Sequence, residues 1–63
     1  MSKAKKEKFN LILEETLSEV TESKQIRIKQ IGRILVDYGV NNIENINYIS
    51  KELKKQGIII IKG

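Results

Sequence analysis

The side chains that could perform chemistry in this sequence are carboxylates, lysines, hydroxyls and two tyrosines, because the chain has no histidine and no cysteine. Glu14, Glu15 and Glu19 come closest to a pair of catalytic carboxylates. On a helix, however, adjacent residues diverge by about 100°, and residues four apart form an ordinary exposed pair. No acid–base site is therefore indicated.

Metal, redox and nucleophilic chemistry also lack their usual residues. Without histidine or cysteine there are no typical ligands for zinc, haem or iron–sulfur clusters, no disulfide and no base to activate a serine. The four glycines do not form a phosphate-binding loop, and Asp37 with Asn41 and Asn42 lacks the repeated carboxylates of a calcium loop. We predict a binding protein without cofactor or metal, and not an enzyme.

The remaining feature is an uneven distribution of charge. The formal net charge is +4, but residues 9–23 carry four glutamates and no basic residue. Residues 1–8, 24–38 and 39–63 each have a net positive charge. One element is thus acidic while the rest is basic, which favours an acidic partner such as nucleic acid. No secretory pattern is present and Ile58–Ile61 is too short to span a bilayer, so we expect a cytoplasmic protein with no membrane role.

Sixty-three residues allow one small domain, and its elements can be predicted from apolar spacing. Apolar residues at spacings of three and four predict a first helix over about residues 5–20. Residues 25–29 alternate polar and apolar types, which indicates a short strand, although they could equally open the next helix. A second helix is expected from Lys29 to near Tyr38. The core positions predicted on the first helix are Phe9, Ile12, Leu13, Leu17 and Val20.

The third helix and the final strand follow from capping and composition. Asn41 is the predicted N-cap with Glu44 completing a capping box, and Gly57 is expected to end the helix. Ile58–Ile61 reads as a strand, which needs a neighbour. Residues 25–29 are the internal candidate, and pairing between two copies of Ile58–Ile61 is the alternative.

These elements predict an α+β fold that is mostly α, with the order helix, strand, helix, helix, strand. Residues 25–63 resemble a winged helix-turn-helix domain: residues 49–59 are similar to its recognition helix and first wing strand. Residues 29–35 resemble the helix before the turn in regulators of the cyclic-AMP-receptor type, where a small residue such as Gly32 lets the helices approach closely. The connection over residues 36–42 is longer than the tight turn, and the wing is expected to be truncated. Residues 1–8 are predicted to be a basic flexible tail before a domain over residues 9–63.

The resemblance implies a small transcriptional or replication regulator that places its third helix in the major groove of DNA. Asparagine can pair with adenine and lysine can donate to guanine. A dimer is expected if each monomer reads half a site. The implied base contacts are Asn45, Asn47, Tyr48 and Lys51. The implied phosphate contacts are Lys24, Arg27, Lys29, Arg33, Lys54, Lys55 and Lys62.

The alternative is a protein-interaction module of similar fold. In that interpretation the acidic first helix or the basic second helix docks on a larger machine, as a phage-type modulator of RNA polymerase or an adaptor would. A third interpretation is a fragment of a larger protein. Nucleic-acid binding is favoured if Arg27, Arg33, Lys51 and Lys55 share one face, and the interaction module is favoured if they scatter.

Overall fold

Three helices and a two-stranded sheet make up the fold. The computed structural model describes residues 3–62, with side chains from residue 6 onwards. The elements are α1 (Lys3–Ser18), β1 (Gln25–Arg27), α2 (Ile28–Asp37), α3 (Ile43–Lys55) and β2 (Ile59–Ile61). The predicted class is confirmed: a mostly helical α+β fold in the expected order.

The two strands pair with each other, as expected from the sequence. They run parallel, with Ile26 opposite Ile60 in the centre of the ladder. Parallel neighbours require a long crossover connection, which here consists of α2 and α3. Because side chains alternate along a strand, Ile26 is buried while Arg27, Ile59 and Ile61 are exposed.

The core lies where the three helices meet the inner face of the sheet. On α1 the fully buried residues include Ile12 and Thr16, whereas Leu13 and Leu17 are only partly buried. The buried face of α1 is therefore rotated about the helix axis relative to the face predicted from the sequence. Burial of Thr16 is possible because its hydroxyl donates a hydrogen bond to the Ile12 carbonyl oxygen at 2.7 Å. The buried apolar residues are Phe9, Ile12, Ile26, Ile31, Ile34, Leu35, Ile49, Leu53 and Ile58.

Glycines in the left-handed region end α2 and α3. Gly57 has φ 80°, and its N–H donates to the Lys54 carbonyl oxygen at 3.0 Å. The N–H of Ile58 reaches back to Leu53 at 3.1 Å. This paired pattern is a Schellman motif, and Gly39 at φ 71° ends α2 in the same manner. Ile58 is buried by this turn, so the strand begins at residue 59 and not at 58 as predicted.

The predicted start of α3 is wrong by one residue. The N-cap is Asn42, whose side-chain oxygen accepts from the Asn45 N–H at 2.8 Å. The Asn45 amide in turn donates to the carbonyl oxygen of Val40 at 2.7 Å. The turn after α2 fixes Val40, so Asn42 and not Asn41 reaches the capping position. Glu44 still lies in the first turn, where a negative charge is favourable.

Two further expectations differ from the structure. The Cβ of an alanine at Gly32 would meet no atom within 4 Å, so the implied close approach of two helices there is wrong. In addition, α1 begins at Lys3, inside the segment 1–8 that was expected to be a tail. Met1, Ser2 and Gly63 lie outside the described residues. None of the described helices combines the length and the apolar character needed to cross a membrane.

Candidate nucleic-acid interface

The outer face of α3 is the best-defined polar surface in the structure. Its inner face buries Ile49 and Leu53. On the opposite face, Asn47, Lys51 and Lys55 follow at intervals of four residues, which stacks them along the helix, and all three are exposed. This arrangement presents an amide and two ammonium groups in a row on a convex helical surface.

Tyr48 lies at the boundary of this face. Its ring meets the ring of Phe9 edge-on, with centroids 5.4 Å apart and an interplanar angle of 72°. Such edge-to-face pairs are favourable beyond their buried area. The contact attaches α3 to α1 while leaving Tyr48 37% exposed. The ring can therefore contact a ligand on α3 without leaving its packed position.

Asn45 has a structural role as well as an implied contact. Its amide nitrogen is already bonded to the Val40 carbonyl oxygen, and the side chain is partly buried. A bidentate contact to adenine needs both the amide nitrogen and the amide oxygen. Reading a base with Asn45 would thus require breaking a bond that holds the turn before α3.

The basic residues implied as phosphate contacts are exposed and mostly unpaired. Within residues 6–62 the one salt bridge joins Lys55 to Glu52 at 3.4 Å, and both partners lie on α3. Lys29 and Arg33 occupy the outer face of α2, away from its buried residues. Arg27 lies on the outer face of the sheet. Lys24, Lys54 and Lys62 are also exposed.

The four cations that were expected to discriminate between the two functions lie on three different elements. Arg27 is on β1, Arg33 is on α2, and Lys51 and Lys55 are on α3. Each is exposed on the outer side of its own element. Of the four, the pair on α3 shares a face by helical spacing.

An acidic surface lies where α1 meets the end of α2. Partial burial, followed by the charge of Glu15 and a hydrogen bond to it, raises the pKa of Tyr38 above its usual value of 10.0. The charges of Asp37 and Glu14 act in the same direction. The negative charge of Glu14 and Glu15 therefore extends onto Asp37 of α2, and this surface shares no residue with the outer face of α3.

Small-molecule and metal binding have little structural support. An open cavity of ≈ 160 Å³ lies beside β1, lined by Thr21, Gln25, Ile26, Arg27, Gln30 and Ile61. Typical ligand pockets measure about 300–1,000 Å³. Among residues 3–62, no three acidic side chains lie close enough together to hold a metal ion.

The comparisons with known proteins add no relative to this picture. No protein-family model, curated protein or solved structure matches the chain. The surfaces described above are therefore the basis for a functional proposal.

Proposed function

We propose that this chain is a small DNA-binding protein of the cytoplasm that acts as an accessory regulator of transcription or replication, without enzymatic activity. The outer face of α3 enters the major groove. Asn47 and Lys51 contact base edges there, with Tyr48 beside them, and the surrounding basic side chains contact phosphates. The fold serves as a winged-helix-like support for α3.

The observation that supports this proposal is the row of exposed groups on α3 together with uncompensated cations on the adjacent elements. Lys51 has no ionic partner within residues 6–62, and neither do Lys29 or Arg33. An exposed cation that is not engaged by a carboxylate is free to displace counterions from DNA. An amide at Asn47, in line with Lys51, adds a group that can distinguish adenine.

The first test is a titration of the isotope-labelled protein with a short AT-rich duplex, followed by NMR at about 50 mM and about 200 mM salt. We expect amide shifts concentrated in α3 and at Lys29–Arg33, with binding that weakens steeply as salt rises. An absence of shifts at both salt concentrations would overturn the proposal.

Matched substitutions separate a docked α3 from general attraction to a basic protein. Lys51→Gln and Lys8→Gln each lower the net charge by one, but Lys8 lies on α1. We expect Lys51→Gln to weaken binding several-fold more than Lys8→Gln does. Asn47→Ala should reduce discrimination between DNA sequences, whereas Asn10→Ala on α1 should not. Equal effects within each pair would indicate that α3 is not the contact surface.

The acidic surface around Tyr38 favours a second candidate function, which is binding to a protein. Glu15 and Glu14 on α1 and Asp37 on α2 together form a negative surface suited to a basic patch on a larger machine such as RNA polymerase. Anisotropy measurements with labelled protein and purified bacterial RNA polymerase would test this function. We expect Glu15→Lys to weaken such binding and Glu22→Lys, in the turn after α1, to weaken it less.

A further inference from the structure

The two outer edges of the small sheet differ in how their backbone groups are satisfied. On β1, the N–H of Gln25 donates to the Thr21 hydroxyl at 3.1 Å and its carbonyl oxygen accepts from the Thr21 N–H at 2.9 Å. The N–H of Arg27 donates to the Gln30 side-chain oxygen at 2.9 Å. This edge is closed by the chain itself, so it offers no donors or acceptors to another strand.

The edge of β2 has no such closure. The N–H of Ile59 donates to the Lys24 carbonyl oxygen at 2.8 Å, so the backbone groups of Ile59 face β1. Successive residues of a strand alternate sides, and the N–H and C=O of Ile60 therefore point away from β1. Within residues 3–62 the sheet has no third strand, and no turn or side-chain hydrogen bond reaches Ile60. A strand edge of this kind is a template for pairing with another chain.

The outer face beside that edge is apolar and uncovered. Ile59 is 55% exposed and Ile61 is 36% exposed, and the two side chains point to the same face. Neither carries a group that would oppose pairing with an identical strand. Proteins usually protect an exposed edge with charges, proline, a bulge or a very short strand; β2 is short, but its three residues carry none of the other devices.

We propose that β2 binds a second copy of this chain, forming an antiparallel, two-fold symmetric strand pair that joins two small sheets into one of four strands. A strand made only of isoleucine is self-complementary, because each exposed side chain meets the same chemistry on its partner. The closed edge on β1 prevents further addition, so the assembly ends at a dimer and does not continue into a fibre. This dimer does not depend on DNA binding.

The exposed side chains select one register. The backbone groups of Ile60 point outward, whereas the N–H of Ile58 is already bonded to the Leu53 carbonyl oxygen at 3.1 Å. We therefore place Ile60 opposite Ile60 of the second copy as a hydrogen-bonded pair. Ile59 then faces Ile61 of the second copy in a non-hydrogen-bonded pair, where side chains lie closest. A register shifted by two residues in either direction would match only one of Ile59 and Ile61 with an isoleucine of the second copy, so it would bury less apolar surface.

The charges of the two copies are compatible with this register. Lys62 lies opposite Ile58 of the second copy, which is four residues away from that copy's own Lys62. At about 3.4 Å per residue the two ammonium-bearing positions are separated by about 14 Å along the strands. That separation exceeds the screening length of about 10 Å at 0.1 M salt. The positive charge at the strand end therefore does not prevent pairing.

Sedimentation equilibrium over protein concentrations from about 10 µM to about 1 mM would test the dimer, since a small interface corresponds to weak affinity. We expect the apparent mass to rise from monomer to dimer within this range and to stop there. In a mixed sample of labelled and unlabelled protein, filtered NOEs should connect the Hα atoms of Ile59 and Ile61 in different copies. A monomer throughout the range, or growth beyond a dimer, would overturn the proposal.

Substitutions test both the surface and the register. Ile59→Lys with Ile61→Lys places like charges opposite each other twice, and we expect the dimer to be lost. Ile59→Lys with Ile61→Glu places opposite charges face to face in the proposed register, and we expect the dimer to be retained. Loss of the dimer in both double variants would contradict the register.

Leu11→Lys is the matched control, because Leu11 on α1 is 54% exposed, almost the same as Ile59. It should leave the monomer–dimer equilibrium unchanged. Circular dichroism of each variant at low concentration shows whether the monomer is folded, which separates lost pairing from lost structure. An effect of Leu11→Lys equal to that of the variant with Ile59→Lys and Ile61→Lys would show that general apolar association causes the dimer.

Discussion

Ser50 is the residue whose burial is least explained by its packing. It lies on the inner side of α3, and its hydroxyl has no hydrogen-bond partner within the described structure. A buried hydroxyl without a partner loses its hydration and gains no bond in return. No contact among residues 6–62 compensates for this cost.

We expect Ser50→Ala to stabilise the protein by about 1 kcal/mol, since it removes the unpaired hydroxyl and introduces a better helix former. For a domain of this size the thermal midpoint would rise by about 4–8 °C. Ser18→Ala is the control, because Ser18 is exposed and its hydroxyl donates to the backbone carbonyl oxygen of Glu15. It should change stability by less than about 0.5 kcal/mol. A destabilised Ser50→Ala protein would indicate a partner for the hydroxyl.

Tyr38 reports the electrostatics of the acidic surface. Its pKa is raised above 10.0 by partial burial and by Glu15, then by Asp37 and Glu14. The folded protein holds the phenol proton more tightly than the unfolded chain does. This contribution to stability is therefore complete below about pH 10 and is lost as pH rises through the pKa of the folded state.

An NMR titration of the tyrosine ring signals at alkaline pH would measure this effect. We expect Glu15→Gln to move the pKa of Tyr38 back toward 10.0, because Glu15 has the largest effect of the carboxylates that act on the phenol. Glu19→Gln removes the same charge from the turn after α1, at a position that does not contribute to the shift, so it should change the value little. Equal shifts in the two variants would mean that the overall negative charge of this region, and not Glu15, raises the pKa.

Two glycines at the helices are expected to respond in opposite ways to replacement by alanine. Gly57 ends α3 with φ 80°, whereas Gly32 lies inside α2, where an added Cβ would meet no atom within 4 Å. Alanine in the left-handed region costs about 1–2 kcal/mol, and alanine replacing glycine within a helix gains about 0.5–1 kcal/mol.

We therefore expect Gly57→Ala to lower the free energy of unfolding and Gly32→Ala to raise it. Urea denaturation followed by circular dichroism would measure both changes. Because the two variants carry the same added methyl group, differences between them reflect backbone conformation. Two changes of the same sign would contradict the backbone geometry at one of the two glycines.

The elements themselves could be predicted from sequence, because apolar periodicity and glycine positions are local signals. The spacing of Ile31, Ile34 and Leu35 identifies α2, and Gly57 identifies the end of α3. Their precise faces and boundaries could not be predicted. Asn41 and Asn42 have the same capping chemistry. Which of them caps α3 depends on how the turn after α2 positions the residues that follow it.

The closed edge of β1 also could not be predicted from the sequence. It depends on Thr21 and Gln30, which come from either side of the strand and look like ordinary polar surface residues. Only Gln30 carries a local signal, since it is the third residue of α2, where a glutamine side chain can accept from the N-cap N–H. Similarly, the burial of Thr16 follows from how α1 packs on the other helices, which no local spacing reveals.

For the whole molecule, the acidic side chains of residues 9–23 are concentrated at one end of α1. The four glutamates lie on the second half of α1 and the turn that follows it, whereas exposed cations lie on the first half of α1, at Lys6 and Lys8, and on α2, α3 and the sheet. In the proposed complex with DNA, such a distribution would orient the acidic end of α1 away from the duplex. That acidic surface would then stay accessible to a protein partner.

The stability of the molecule rests on few residues, because a core of this size contributes only about 3–5 kcal/mol net. Leu53 is fully buried at the end of α3, and its carbonyl oxygen accepts from the Ile58 N–H in the turn to β2. Replacing a buried leucine by alanine costs about 2–5 kcal/mol, which is comparable with the entire stability.

We therefore expect Leu53→Ala to be largely unfolded at 25 °C, as measured by circular dichroism and by the spread of amide signals in NMR spectra. Leu11→Ala makes the same change at an exposed position, and it should remain folded with a stability within about 0.5 kcal/mol of the unsubstituted protein. A cooperative transition in Leu53→Ala near the original midpoint would mean that the helices close over the vacated volume. Because a dimer stabilises its folded monomers by mass action, a midpoint for Leu53→Ala that rises with protein concentration would show that pairing through β2 restores part of the lost stability.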